Sequence, residues 1–287
     1  MKRLAFWQKK HKRVDIGVYV TSERLTLSHA DESAPLEQIS FAGQDWYAAL
    51  AILAQRLPGA HLQIVLNSAF YQLLVVDKPA VEAAEIPQAL VWSIKDMVAR
   101  PVNTLHFDYF EPPESTQNKL NLVVVEREFL SEMAQAAEKY GLVISTVSIE
   151  EMAISNLSVT ESLAKLVLLH EPNQELKLII VKQGQLFMQR TVRGFNQIDK
   201  VSGEDLRLGV ADSLSLELQR SMDYFESQLR QAPVAEIALL MGGDTGVLAE
   251  LLAAHFYQKV AIVPCASVGE QLAKLACLES KHQQEAA

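Results

Sequence analysis

One strand pattern occurs twice in this chain of 287 residues, and that repetition limits the possible folds more than any single motif does. Val14 to Val20 and Arg24 to His29 alternate as a strand pair about the turn Thr21-Ser22-Glu23. A helix capped by Asp45 follows, with Trp46, Leu50, Leu53 and Leu57 on one face. After a helix predicted from Glu150 to Ser162 the pattern begins again with strand Ala164 to His170, the turn Glu171-Pro172-Asn173-Gln174, and strands Leu176 to Val181 and Gln185 to Val192. A β-meander followed by helices, present twice, reads as two similar α/β halves.

The stretch between them has a different rhythm. Pro58-Gly59 ends the first helix, and His61 to Leu66 and Phe70 to Val76 read as a strand hairpin around Asn67-Ser68. From Asp77 the order becomes α-β-β-α. A helix has Pro87 in its first turn and Leu90, Ile94, Met97 and Val98 inward. Strands Leu105 to Phe110 and Leu120 to Val125 flank a polar loop from Glu111 to Lys119, and a helix from Glu128 to Lys139 stops at Gly141. Residues 77–140 are therefore read as an inserted α+β subdomain, with 14–76 plus 141–162 as the first lobe and 163–278 as the second. In the second lobe a helix from about Glu204 to Arg230 is predicted to bury Leu214, Leu218, Met222, Phe225 and Leu229. Strand Ile237 to Met241 then runs through Gly242-Gly243 into a helix from Gly246 to Ala254. A last helix starts near Gly269, and residues 279–287 are expected to fray. Trp92, Phe107 and Tyr109 are expected in the core.

Composition excludes several classes. With 49% hydrophobic and 21% charged residues the chain is globular. Cys265 and Cys277 belong to no Cys-x-x-Cys or Cys/His cluster, and none of the seven histidines has a His or Cys partner at ligand spacing. No phosphate loop with Gly-Lys and no nucleophile elbow occurs. No apolar run reaches the roughly 18 residues needed to cross a bilayer, so a reducing cytoplasmic setting is expected. Net charge is −9, yet six basic residues lie in the first 13 positions, leaving 20 against 35 acids in the body. Residues 1–13, with Phe6 and Trp7, read as a basic leader able to rest on an anionic membrane, each Lys or Arg contributing about 1 kcal/mol. The acidic body argues against nucleic acid as a partner.

The order of these elements resembles the PilM family of type IV pilus assembly proteins, relatives of the cell-division protein FtsA, and within it the shorter branch serving mannose-sensitive haemagglutinin (MSHA) pili. The residues that carry the likeness are Val14-Asp15-Ile16-Gly17, Val76-Asp77-Lys78-Pro79, Trp92, Asp108-Tyr109, Glu150 opening its helix, the stretch Gln219-Arg220-Ser221-Met222-Asp223-Tyr224, and Gly242-Gly243-Asp244. The resemblance implies an actin-like, ribonuclease H-like ATPase scaffold of two lobes, with the inserted α+β subdomain and a shortened second-lobe helical subdomain. It places Asp15 and Gly17 beside the phosphates and metal, and Gly242, Gly243 and Asp244 beside adenine and ribose. At the middle turn this chain has His170-Glu171-Pro172-Asn173, where proline has no N–H to donate and Glu171 and Glu175 would face a polyanion. The expectation is accordingly a non-catalytic scaffold without cofactor at the cytoplasmic face of an inner membrane, among other pilus platform proteins. Its implied partner is the tail of a PilN-like single-pass membrane protein, in a groove where the helix from Pro87 and strand Leu105 to Phe110 face the hairpin Leu62 to Val76. The alternatives are an ATP-dependent, magnesium-dependent switch of the FtsA type and a sugar or acetate kinase relative.

Overall fold

A computed structural model describes residues 14–29, 37–113 and 118–285. The basic leader and its expected membrane contact lie outside the described residues.

The two halves have the same strand order. In the first, β1 (Asp15–Val20), β2 (Arg24–His29), β3 (Glu37–Ser40), β4 (His61–Leu66) and β8 (Val143–Ile149) form a sheet ordered β3-β2-β1-β4-β8. In the second, β9 (Lys165–Leu169), β10 (Leu176–Lys182), β11 (Gln185–Val192), β12 (Glu236–Leu240) and β13 (Lys259–Ile262) are ordered β11-β10-β9-β12-β13. The first three strands of each sheet pair antiparallel, and the remaining two join in parallel. The continuous apolar runs of β1, β4, β9 and β10 follow from this arrangement, because helices cover both faces of the central strands.

Helix α1 (Trp46–Arg56) starts as expected, the Asp45 carboxylate accepting the Ala48 N–H at 3.0 Å. Helix α3 (Arg127–Lys139) packs beside it, with Trp46 and Phe129 ring centroids 5.3 Å apart and Phe70 stacked on Phe129 at 4.6 Å. Helix α3 is thus bound into the first lobe's core, not into an insertion running to residue 140.

The expected hairpin of residues 61–76 does not form. Strand β5 (Tyr71–Asp77) leaves the first sheet and pairs with β7 (Lys119–Glu126), which pairs in turn with β6 (Leu105–Phe110), giving a separate sheet ordered β5-β7-β6. The break after residue 76 therefore falls too late. The reason is packing: Val76, Leu120, Leu122 and Val124 share a core with Ile86, Leu90 and Ile94 of helix α2 (Ile86–Ile94). Those three helix residues sit at i, i+4 and i+8, so Trp92 points the other way and is 74% exposed, against expectation. Phe107 and Tyr109 are half-buried against this core.

Two helices tie the lobes together. Helix α4 (Glu150–Ser155) follows β8 but contacts β10 and β11 of the other sheet. Helix α8 (Val268–Glu285) follows β13 but lies on β1, β2 and β4. Between them Val65, Ala153, Ile154, Val167, Ile179, Leu240, Leu272 and Ala276 form a core shared by both lobes. The helix predicted to start near Glu204 is shorter. A single turn, α5 (Gly203–Asp205), and an irregular turn over Leu206–Val210, with Gly209 at φ 126°, precede α6 (Ala211–Ser227). Residues 279–285 continue α8 instead of fraying, in keeping with a Glu, Ser, Lys, His and Gln sequence that contains no Gly or Pro.

Candidate functional site

Both sheets direct the carboxyl ends of their central strands toward one cleft of about 390 Å³, lined by Tyr19, Thr21, Arg24, Glu171, Pro172, Gly242 and Ser267, among others. The Thr21 turn is closed by its own side chain, whose Oγ1 accepts the N–H groups of Glu23 and Arg24. At the matching turn of the second lobe the Gln174 N–H donates to the Glu171 carbonyl at 3.0 Å, with Pro172 at the second position and Asn173 at φ 64°. The third wall comes from Gly242, ahead of helix α7 (Thr245–His255), and from the residues that open α8.

An ionic cluster underlies this cleft. Lys177 Nζ donates to Glu150 Oε2 at 2.7 Å, to Glu151 Oε1 at 2.5 Å and to Tyr71 Oη at 2.9 Å. Tyr19 Oη donates to Glu150 Oε1 at 2.6 Å, and Asn67 Nδ2 donates to the same oxygen at 2.8 Å. Tyr19, Asn67, Glu150 and Tyr71 come from the first lobe or the strand leaving it, whereas Lys177 stands on β10 of the second. All are buried. Burial works against the Lys177 ammonium, but Glu150 and then Glu151 outweigh it and hold its pKa above the ordinary value. Burial, followed by the adjacent carboxylates, pushes the hydroxyls of Tyr19 and Tyr71 well above the ordinary phenol. Both tyrosines therefore remain neutral donors to the carboxylates.

Glu171 has no such side-chain partner among the described residues. Burial first, and the Glu150 charge second, raise its carboxyl to about 7, with Arg24 opposing. A carboxyl that prefers its proton in the folded state adds stability fully present below the unfolded pKa near 4.5 and lost as pH rises through about 7. Chemical denaturation should show falling stability from pH 5 to 8, by about 2 kcal/mol after allowance for solvent at the cleft mouth. In Glu171→Gln that decline should flatten; an unchanged pH slope would assign it to another group.

The segment after β11 is strapped across the second-lobe turns. Lys200 Nζ donates to Asn173 Oδ1 at 3.0 Å, and the Gly194 N–H donates to Glu175 Oε2 at 3.1 Å. A Cβ placed on Gly243 would come 2.5 Å from the Asp199 carbonyl oxygen, so this glycine serves the approach of the strap.

No family model and no curated protein matches the sequence. Among solved structures, one chain of a PilM-PilN type IV pilus biogenesis complex is similar at TM-score 0.60 and 17% identity, over 93% of this chain and 98% of that one. The cytoplasmic domain of EpsL, an inner-membrane component of the type II secretion system of Vibrio cholerae, is similar at 0.56 and 13%, over 92% and 95%. A Bacteroides thetaiotaomicron protein of unknown function with an actin-like ATPase fold is similar at 0.53 and 12%, over 96% and 100%. The chain has the actin-like fold.

On that actin-like frame the residues singled out from sequence do not converge. Asp15 and Gly17 lie at the far end of β1, where Asp15 is in register with His61 and accepts from Gln63 Nε2 at 3.2 Å. The strand runs on through Val18-Tyr19-Val20 before turning at Thr21, which separates Asp15 from the cleft by about 13–20 Å of extended chain. A Cβ on Gly17 would lie 1.8 Å from the Ala273 carbonyl oxygen, so this glycine admits α8. Gly242 does line the cleft, Gly243 meets the strap, and Asp244 is the residue before α7, without a side-chain cap bond. Sequence reasoning missed Lys177, Glu151, Tyr19, Tyr71 and Asn67. A lysine within Leu176–Val181 and two glutamates opening a helix after a strand were the available signals. Among the described residues no group of three or more His, Cys, Asp or Glu converges as a metal site, and no helix is long and apolar enough to cross a membrane.

Proposed function

We propose that this protein is a non-catalytic scaffold in an inner-membrane platform that assembles a type IV pilus of the MSHA type, and that it holds the cytoplasmic tail of a PilN-like single-pass membrane protein. The observation that carries this reading is the Lys177–Glu150–Glu151 cluster, which joins the lobes beneath the cleft with the chain's own charges. A ligand that closes the lobes is not needed for their contact. Further support comes from the cleft walls, where Pro172 offers no N–H and Glu171 would face any phosphate. With its carboxyl pKa raised to about 7, Glu171 would keep its proton beside a phosphate and bring no positive charge to it.

Likeness to a chain of a PilM-PilN complex supports the partner assignment. The groove is assigned to a recess where the first lobe meets the small sheet, lined by Phe70, Tyr71, Val98, Arg100, Leu105 and Val125. Val98, Ala99 and Arg100 continue it toward the exposed Trp92. An apolar tail residue buried on Trp92 would contribute about 1.5–3 kcal/mol. Capture of an immobilised PilN-like tail is expected to fall at least about tenfold in Trp92→Ala and to be indifferent to Mg-ATP. Equal capture by the variant would remove the groove from this site.

Gly242 at the cleft favours a second reading, an ATP-binding switch of the FtsA/PilM type. Calorimetric titration with Mg-ATP separates the two: no heat is expected at millimolar nucleotide, and micromolar affinity would overturn the scaffold.

A further inference from the structure

A second recess, distinct from both sites above, lies where the small sheet meets the second lobe. It encloses about 370 Å³ and is lined by β11 residues Leu186 through Arg190, by Val75 and Asn121 of the small sheet, and by Tyr224 of α6. Strand β11 ends its sheet: its inner edge pairs with β10, and its outer edge pairs with no strand among the described residues. Val75 and Asn121 are register partners on the sheet face turned from α2, and Val75 is 57% exposed. An open strand edge beside an apolar hollow is a template for another strand, and folded proteins normally blunt such an edge with proline, lysine or a cover. Gln185–Val192 contains no proline or lysine.

Charge selects the occupant. Lys119, Arg190 and Arg220 stand at the rim. Arg190 and Arg220 share the single carboxylate of Glu217, and Lys119 pairs with the exposed Asp77. This rim is net positive on a chain whose net charge is −9. The chain's own first 13 residues, with six cations, would meet like charge there. We infer that the outer edge of β11 receives an extended segment of another protein that alternates apolar and acidic side chains, the apolar ones entering the hollow at Val75, Met188 and Tyr224 and the acidic ones meeting Arg190, Arg220 and Lys119. Main-chain pairing along β11 supplies the affinity, and the hollow and the rim supply the selectivity. The site lies four residues along β5 from Tyr71, about 13 Å, so a tail in the first groove and a segment here occupy opposite ends of one strand. With both filled, the protein would bridge two partners.

A fluorescein-labelled peptide of sequence Glu-Val-Glu-Phe-Glu-Val-Asp-Leu, followed by anisotropy with the full chain, is the probe, and its counterpart with lysine at every acidic position is the control. The acidic peptide should bind with a Kd of roughly 10–100 µM and the lysine peptide at least about tenfold more weakly. Val75→Lys and Arg220→Glu should each weaken the acidic peptide about tenfold, Trp92→Ala should not change it, and amide exchange along residues 185–190 should slow on binding. Both altered residues are exposed, and Arg220→Glu decides alone should Val75→Lys unfold. Equal binding of the two peptides, or binding indifferent to Arg220→Glu, overturns the assignment. Sedimentation showing a dimer that Val75→Lys dissociates would also overturn it, since the occupant would then be a second copy.

Discussion

Lys177→Met is expected to lower folding stability by about 3–5 kcal/mol, read as a shift of the denaturant midpoint at unchanged slope. Removing the ammonium leaves the carboxylates of Glu150 and Glu151 facing each other in a space closed to water, with Tyr19, Tyr71 and Asn67 as the remaining donors. Most of the loss is the penalty of an uncompensated buried charge, so neutralising the carboxylates should recover it. The triple variant Lys177→Met, Glu150→Gln, Glu151→Gln should regain more than half. Because the cluster joins the lobes, Lys177→Met should also speed proteolysis between them. A midpoint unchanged in the single variant, or no recovery in the triple, would show that the cluster does not join the lobes as argued.

Gly17→Ala should destabilise by about 3 kcal/mol or more, because the new methyl would sit 1.8 Å from a main-chain carbonyl of α8, which cannot swing aside as a flexible side chain can. Helix α8 would have to lift from β1, opening the core around Leu272, Ala273 and Ala276. Gly246→Ala is the matched control. It lies in the first turn of α7 with nothing within 4 Å of its would-be Cβ, and the change should stabilise by about 0.5–1 kcal/mol. Opposite signs at two glycines separate helix packing from a general sensitivity of the chain. Gly17→Ala at full stability would reopen a role for this glycine in close approach of a ligand.

The two-fold strand pattern was legible because half-buried and fully buried strands leave period-two and continuous apolar runs that depend on neighbours close in sequence. The Asp45 cap, the Glu171–Gln174 turn and the buried face of α6 were legible for the same reason. Trp92 was misplaced because aromatic size says nothing of helix phase, whereas the spacing of Ile86, Leu90 and Ile94 already excluded it from the core. Asp15-Ile16-Gly17 reads the same way for either role, because a glycine that admits a helix and a glycine that admits a phosphate are the same residue. The difference lies in whether β1 turns at once or runs on to Thr21.

The sequence by itself determined most of the segments that became strands and helices, though not the edge strands β3 and β13, and that they form two like halves, since alternation, capping and turn chemistry act over a few residues. Only the tertiary structure decided that β5 deserts the first sheet, that α3 stays with it, and that α4 and α8 cross between lobes. It alone brought Lys177 to Glu150 and Glu151 across 27 and 26 positions of chain, and Tyr19 to Glu150 across 131. Strand pairing and charge burial are contests among distant segments for shared apolar surface and shared exclusion of water, and no local pattern records which partner wins them.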